Sequence, residues 1–299
     1  MESESNHVPV MLNEVVDLLN IRPGQTMLDC TTGRGGHADA ILSKLTPGGR
    51  YIGLDVDPKN LHFVRARFES HANPPTLIHS NFSHAAHMLA KLDIDGVDGL
   101  LADLGFSSNQ VDDPERGMSF LSDGPLDMRL NQTLPRTAEN LINSLSEQEV
   151  ADILYKYGEE RLSRRIARKV VEQRKTQPII STSQLASLCI QAYGPKGKRH
   201  RIHPATRTFQ ALRIAVNDEL AHLESLLDQL PTLLRTDAKA VIISFHSLED
   251  RLVKWAFRKL AAEGRVEILT RKPLTPSEEE RSNNSRSRSA KLRAIRFLH

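Results

Sequence analysis

The sequence predicts an α/β protein with a doubly wound, mostly parallel sheet interrupted by an all-helical insertion. Three observations carry this. Over the first hundred residues, short apolar strands alternate with helical patterns. From Val111 to about Pro204 that rhythm stops and only helical stretches appear. After residue 205 the alternation resumes. Alternating β–α units imply right-handed crossovers and a parallel sheet.

Met27–Cys30 follows the turn signal Pro23-Gly24 and reads as a buried strand. Gly33–Gly36 is a glycine-rich turn, and His37–Leu45 a helix stopped by Pro47-Gly48-Gly49. Tyr51–Asp55, Thr76–His79 and Val97–Asp103 read as further strands. Pro58–Ser70 and Ala85–Leu92 are the helices between them. The interruption holds helical patterns at Thr137–Leu145, Ser146–Tyr157, Arg161–Lys175 and Ser183–Tyr193, and Ser146…Glu149 has the form of a capping box. One long helix is expected over Ala205–Leu227, then a strand at Lys239–Ser244 and a helix at Glu249–Ala262. Val266–Arg271 and Leu292–Leu298 are a candidate terminal strand pair. The expected division is 1–110 with 205–299 for the sheet domain, and 111–204 for the insertion.

Composition excludes several classes. No apolar run approaches the ~20 residues that span a bilayer. The polar, acidic stretch Met1–Val10 lacks the features of a signal peptide, so a cytoplasmic location is expected. Two cysteines, Cys30 and Cys189, build no disulfide framework. His79, His84 and His87 lack metal-site spacing, so no metal is expected. The net charge of +3 is unevenly spread. Residues 1–150 carry 11 Lys/Arg against 21 Asp/Glu, net −10; the remainder carries 29 against 16, net +13. A basic half suits a polyanion, with ordinary solvated charge as the alternative.

The strongest chemical signal is Asp29-Cys-Thr-Thr-Gly33-Arg34-Gly35-Gly36-His37, placed after a strand and before a helix. Glycines there allow a sharp turn and close ligand approach. Asp55 ends the next strand, 22 residues beyond Gly33, a spacing that suits ribose hydroxyls. Together these describe a nucleoside-cofactor site. The dinucleotide fingerprint has a third glycine that His37-Ala38 lacks. The reading therefore favours S-adenosylmethionine, which has no pyrophosphate, over an NAD-dependent dehydrogenase. Asp103 ends the fourth strand, beside the expected reactive end of the cofactor. Accepting N–H bonds from a target amine, holding the cofactor and capping the strand all stay open for it.

Three basic runs fall in the second half. On the helical pattern Arg161–Lys175, Arg161, Arg164, Arg165 and Arg168 share one face opposite Leu162, Ile166 and Val170. Lys196–Arg213, with Lys198, Arg199, Arg201 and Arg207, and Arg281–Arg296, with Arg286 and Arg288, each hold six basic residues and no acidic one. A lone basic helix is ordinarily a solvated face; three such runs beside a cofactor domain point to nucleic acid.

These stretches resemble a known family. His7-Val-Pro-Val-Met-Leu-Asn-Glu14, Gly33–His37, Asp55-Val-Asp-Pro58, Asp103-Leu-Gly105 with Ser107-Ser108, and Gln110 are similar to motifs of the bacterial methyltransferases that modify N4 of a cytosine in the decoding region of 16S ribosomal RNA. So are Glu115-Arg-Gly117, Asp123–Arg129, Tyr157–Glu160, His203–Arg213, Val216-Asn217 and Ser244–Arg251. The resemblance implies a class I Rossmann-like methyltransferase fold with a helical insertion that recognises RNA. It implies S-adenosylmethionine as cofactor, with contacts at Gly35, Gly36, His37, Asp55, Phe82, Asp103 and Gln110. Phe82, just past the third strand, is placed to pack on an adenine. Phe106 and Asn109 depart from the family pattern, and the segment between Ala262 and Asn283 looks shorter. The family supplies no settled general base; His246, just past the fifth strand, is the candidate substrate-site residue, with Ser247 and Glu249 near it. The expected partner is ribosomal RNA or the assembling small subunit. A homodimer is left open, as is a non-catalytic role in ribosome assembly.

Overall fold

A computed structural model of the chain describes residues 9–195 and 202–299. In chain order the elements are α1 (Leu12–Leu19), β1 (Thr26–Asp29), α2 (Gly36–Leu45), β2 (Arg50–Asp55), α3 (Pro58–Arg67), β3 (Thr76–His79), α4 (Ala85–Ala90) and β4 (Val97–Asp103). There follow α5 (Ser108–Asp112), α6 (Ala138–Ser144), α7 (Glu147–Gly158), α8 (Ser163–Arg174), α9 (Thr182–Tyr193) and α10 (Thr206–Asn217). The chain closes with α11 (Glu219–Leu233), β5 (Leu234–Ser244), α12 (Ser247–Ala262), β6 (Val266–Ile268), α13 (Glu278–Asn283) and β7 (Lys291–Phe297). They form two compact units: residues up to Gly105 together with Leu220–His299, and Phe106–Glu219.

The first unit is built on a seven-stranded sheet of order β3-β2-β1-β4-β5-β7-β6. The first five strands run parallel, and β7 is antiparallel to both β5 and β6. The period-2 alternation of strand side chains feeds two apolar layers. Leu28, Ile52, Leu100 and Ile242 pack with Leu89 of α4, Leu226 and Leu230 of α11 and Phe257 of α12. Met27, Tyr51, Leu101 and Val241 pack with Val15 of α1, Ile41 and Leu42 of α2 and Val64 of α3. Strand order reverses at β1, which pairs with β2 on one side and β4 on the other. The crevice outside the carboxyl ends of the strands at such a switch point is where open α/β sheets bind ligands.

The second unit is helical and contains no strand among its described residues. Its core gathers Leu141, Ile142, Leu154, Ile166, Val170, Leu185, Phe209 and Leu212. Capping boxes at Thr137/Asn140, Ser146/Glu149 and Ser181/Gln184 fix the starts of α6, α7 and α9.

Two sequence expectations need correction. The single helix expected over Ala205–Leu227 is two. Asp218 adopts a left-handed φ of 49°, ends α10 with its N–H on the Ile214 carbonyl, and lets α11 start at Glu219. The boundary expected before residue 205 therefore lies at Glu219/Leu220, because Phe209, Leu212 and Val216 of α10 bury in the helical core. The helix α1 went unread; its signal is the buried pair Val15 and Leu19, one turn apart. No helix among the described residues is long and apolar enough to cross a membrane.

Candidate active site

The glycine turn is shaped by backbone needs. Gly35 caps α2 at φ 78°, and a Cβ there would come within 3.1 Å of Phe68 and 3.3 Å of Val64. Below it, the Asp55 carboxylate ties three pieces together. Oδ2 accepts the Gly33 N–H at 2.8 Å, Oδ1 accepts the Asp57 N–H at 2.7 Å, and Asn60 Nδ2 lies 3.3–3.4 Å from both oxygens. From α3, Arg67 donates to the carbonyls of Arg34 and Gly35. At the end of β4 the Asp103 N–H donates to Thr31 Oγ1 at 2.7 Å. The Asp103 Oδ2 lies 3.8 Å from Nδ1 of His37, whose Nε2 sits 3.1 Å from the Val10 carbonyl. The structure thus brings Gly33, Gly35, Gly36, His37, Asp55 and Asp103 together at the carboxyl ends of β1, β2 and β4.

Three carboxylates share this corner. Asp29, 1% exposed, accepts the Tyr51 hydroxyl at 2.6 Å and the Thr31 N–H at 2.9 Å. Burial pushes its pKa up to about 6 against the pull of those bonds. Burial likewise lifts Asp55 to about 6, opposed by its bonds to Asp57, Gly33 and Asn60. Asp103 is held well above the carboxylate range by burial first, then by the charges of Asp29 and Glu249. Its Oδ1 is buried without a hydrogen-bond partner among the described residues. A buried orphan acceptor is costly unless something donates to it. This donor set fits a nucleoside cofactor that carries positive charge and N–H groups.

The remaining predicted residues are placed as follows. His246 is the N-cap of α12: Glu249 donates its N–H to Nδ1 at 3.4 Å, and Glu249 Oε1 lies 3.2 Å from Nε2. Glu249 Oε2 accepts the N–H groups of Phe245 and His246. Phe82 opens a short 3₁₀ turn and packs half-buried on the α4/α11/α12 apolar layer. Gln110 belongs to the helical unit, buried, with its Oε1 on the Ser107 N–H at 2.9 Å. Arg161, Arg164, Arg165 and Arg168 are all exposed, as are Arg286 and Arg288. Arg207 is half-buried and donates to the Glu159 carbonyl. Lys198, Arg199 and Arg201 lie outside the described residues.

Sequence reading missed Thr31, Asn60 and the Tyr51–Asp29 pair. Asn60 had a signal, since it stands in the first turn of the helix that Asp55-Val-Asp-Pro58 leads into. Thr31 and Tyr51 had none, because only the pairing of β1 with β2 and β4 brings them to their partners.

A family model described as the MraW methylase family matches residues 4–298. The chain belongs to this family. It is 48% identical over 301 residues to the ribosomal RNA small subunit methyltransferase H of Acidobacterium capsulatum, covering 98% of this chain and 99% of that one. The protein of the same name from Geobacter sulfurreducens is 47% identical, and that from Brevibacillus brevis 45%, each over 309 residues and 98% of this chain. The coverage is 99% and 98% of those two proteins, so the likeness is not confined to one unit. Membership makes the chain a methylase, and a methyl donor belongs to its chemistry.

Proposed function

We propose that this chain methylates the N4 amino group of a cytosine in the decoding region of 16S ribosomal RNA, using S-adenosylmethionine. The observation that carries the reading is the convergence of the Gly33–His37 turn, Asp55 and the orphan acceptor Asp103 Oδ1 in a methylase of this family. The names of the relatives support small-subunit RNA as substrate, and that substrate puts the chain in the cytoplasm. The exposed arginine face of α8 supports a polyanionic partner.

The residues divide the work. The turn at Gly33–Gly36 and the N-terminus of α2 border the cofactor, with Asp55 bracing the turn from beneath. When bound, S-adenosylmethionine supplies a methyl group on a positively charged sulfur, already a good electrophile. Positioning the amine is then the main demand on the protein. Asp103 accepts N–H bonds, which frees the amine lone pair from conjugation with the ring. His37, anchored on Val10, orients Asp103. The methylated amine sheds its proton to water, so no dedicated base is required. His246 and Glu249 form the wall at the start of α12.

The test is mass mapping of small-subunit RNA after incubation with the purified protein and labelled cofactor. One cytosine should gain one methyl group. The variant Asp103→Ala should still bind RNA yet lose transfer, which separates an enzyme from an assembly factor. Label on another base, or none, overturns the reading.

A further inference from the structure

We infer that the solvent face of α12 is a stacking platform for a single-stranded segment of RNA, centred on Trp255. This rests on the reading that the substrate is RNA, and adds a contact outside the candidate active site. Trp255 is the sole tryptophan of the chain and is 58% exposed. Lys254 Nζ stands 5.5 Å from its ring centroid and the Arg258 guanidinium 5.6 Å. Arg251, Arg258 and Lys259 are exposed on the same helix, and Lys254 is half-buried. Lys254 and Arg258 also line a notch with Arg271.

The acidic groups of α12 do not cancel this charge. Glu249 is buried in the helix cap, Asp250 is ion-paired to Arg293 and Lys291, and Glu263 stands at the far end as the C-cap. An exposed indole edged by two cations is poorly suited to plain solvent. It is well suited to an unpaired base, whose face stacks on the ring while the cations take the flanking phosphates. Paired bases offer no free face, so the platform selects single strands. Trp255 lies nine positions along α12 from the N-cap His246, roughly 14 Å at the helical rise. The contact therefore guides RNA beside the site without touching the reacting atoms.

The indole is its own reporter. An unstructured, end-labelled RNA oligomer is titrated into the protein, with binding followed by anisotropy and stacking by tryptophan fluorescence. Saturating RNA should quench the tryptophan, and a duplex of the same length should quench it far less. Trp255→Ala should weaken binding roughly 5- to 150-fold and Trp255→Phe should restore most of it. Lys254→Ala with Arg258→Ala should lower the salt slope by about 1.4. RNA that binds without quenching, or equally well to Trp255→Ala, overturns the platform while the RNA reading stands. No binding or methylation of RNA overturns both. Quenching that follows protein concentration without RNA, with dimers in sedimentation, assigns the face to a second copy and overturns the proposal.

Discussion

Replacing Asp55 by alanine tests the joint beneath the glycine turn. The carboxylate satisfies two backbone donors, Gly33 N–H and Asp57 N–H, at 2.8 and 2.7 Å. Stranding them costs about 1–3 kcal/mol each, so about 2–6 kcal/mol in all. Against this stands relief from ionising a buried acid. Asp55 titrates at about 6 in the fold and near 3.8 in the open chain. That shift makes the folded charged form about 3 kcal/mol dearer at alkaline pH. The sign follows from linkage. Because the folded pKa is raised, the wild type is favoured below pH 3.8 and loses that advantage as pH climbs through 6. The alanine variant has no such slope. Its deficit in urea unfolding should therefore be greater at pH 4.5 than at pH 8, by about 2 kcal/mol. S-adenosylmethionine affinity, read by calorimetry, should fall at both. An equal deficit at the two pH values, or a larger one at pH 8, refutes the assignment of Asp55 as a buried, bonded carboxylate.

Three further outcomes are expected. Gly35→Ala should cost about 2–5 kcal/mol, combining the left-handed φ penalty with crowding against Phe68 and Val64, and an unchanged urea midpoint would contradict it. Asp250 pins α12 to β7 through Arg293, at 2.7 Å; burial alone would raise its pKa, yet Arg293 and Lys291 hold it below the usual value. Asp250→Asn should cost about 3 kcal/mol, and adding Arg293→Met should recover much of it, whereas strict additivity in the cycle would deny the pair its role. Changing Arg164, Arg165 and Arg168 to alanine should lower the salt slope of single-stranded RNA binding by about 2 while leaving cofactor affinity intact, and a drop in cofactor affinity would show damage to the fold instead.

The sequence by itself determined what depends on neighbours along the chain. β3 and β4 stand at the residues read from their apolar runs, and the Ser146–Glu149 capping box forms, because strand propensity and helix capping are local. The exposed arginine face of α8 follows equally from helical period. The glycine turn and the place of Asp55 at the end of β2 were legible from spacing, since a β–α–β unit fixes where a strand ends relative to the turn before it; that the Asp55 carboxylate braces Gly33 and Asp57 was not. Only the tertiary structure decided the rest. The split of α10 from α11 and the true edge of the helical unit depend on which core receives Phe209 and Leu212. The bonds of Tyr51 to Asp29 and of Asp103 to Thr31 depend on strand order, which no local pattern encodes. The raised pKa values arise from the same cause: Asp29 and Asp55, buried, and Asp103, half-buried with its Oδ1 covered, are brought from distant positions to one corner, and desolvation is a property of the assembled fold.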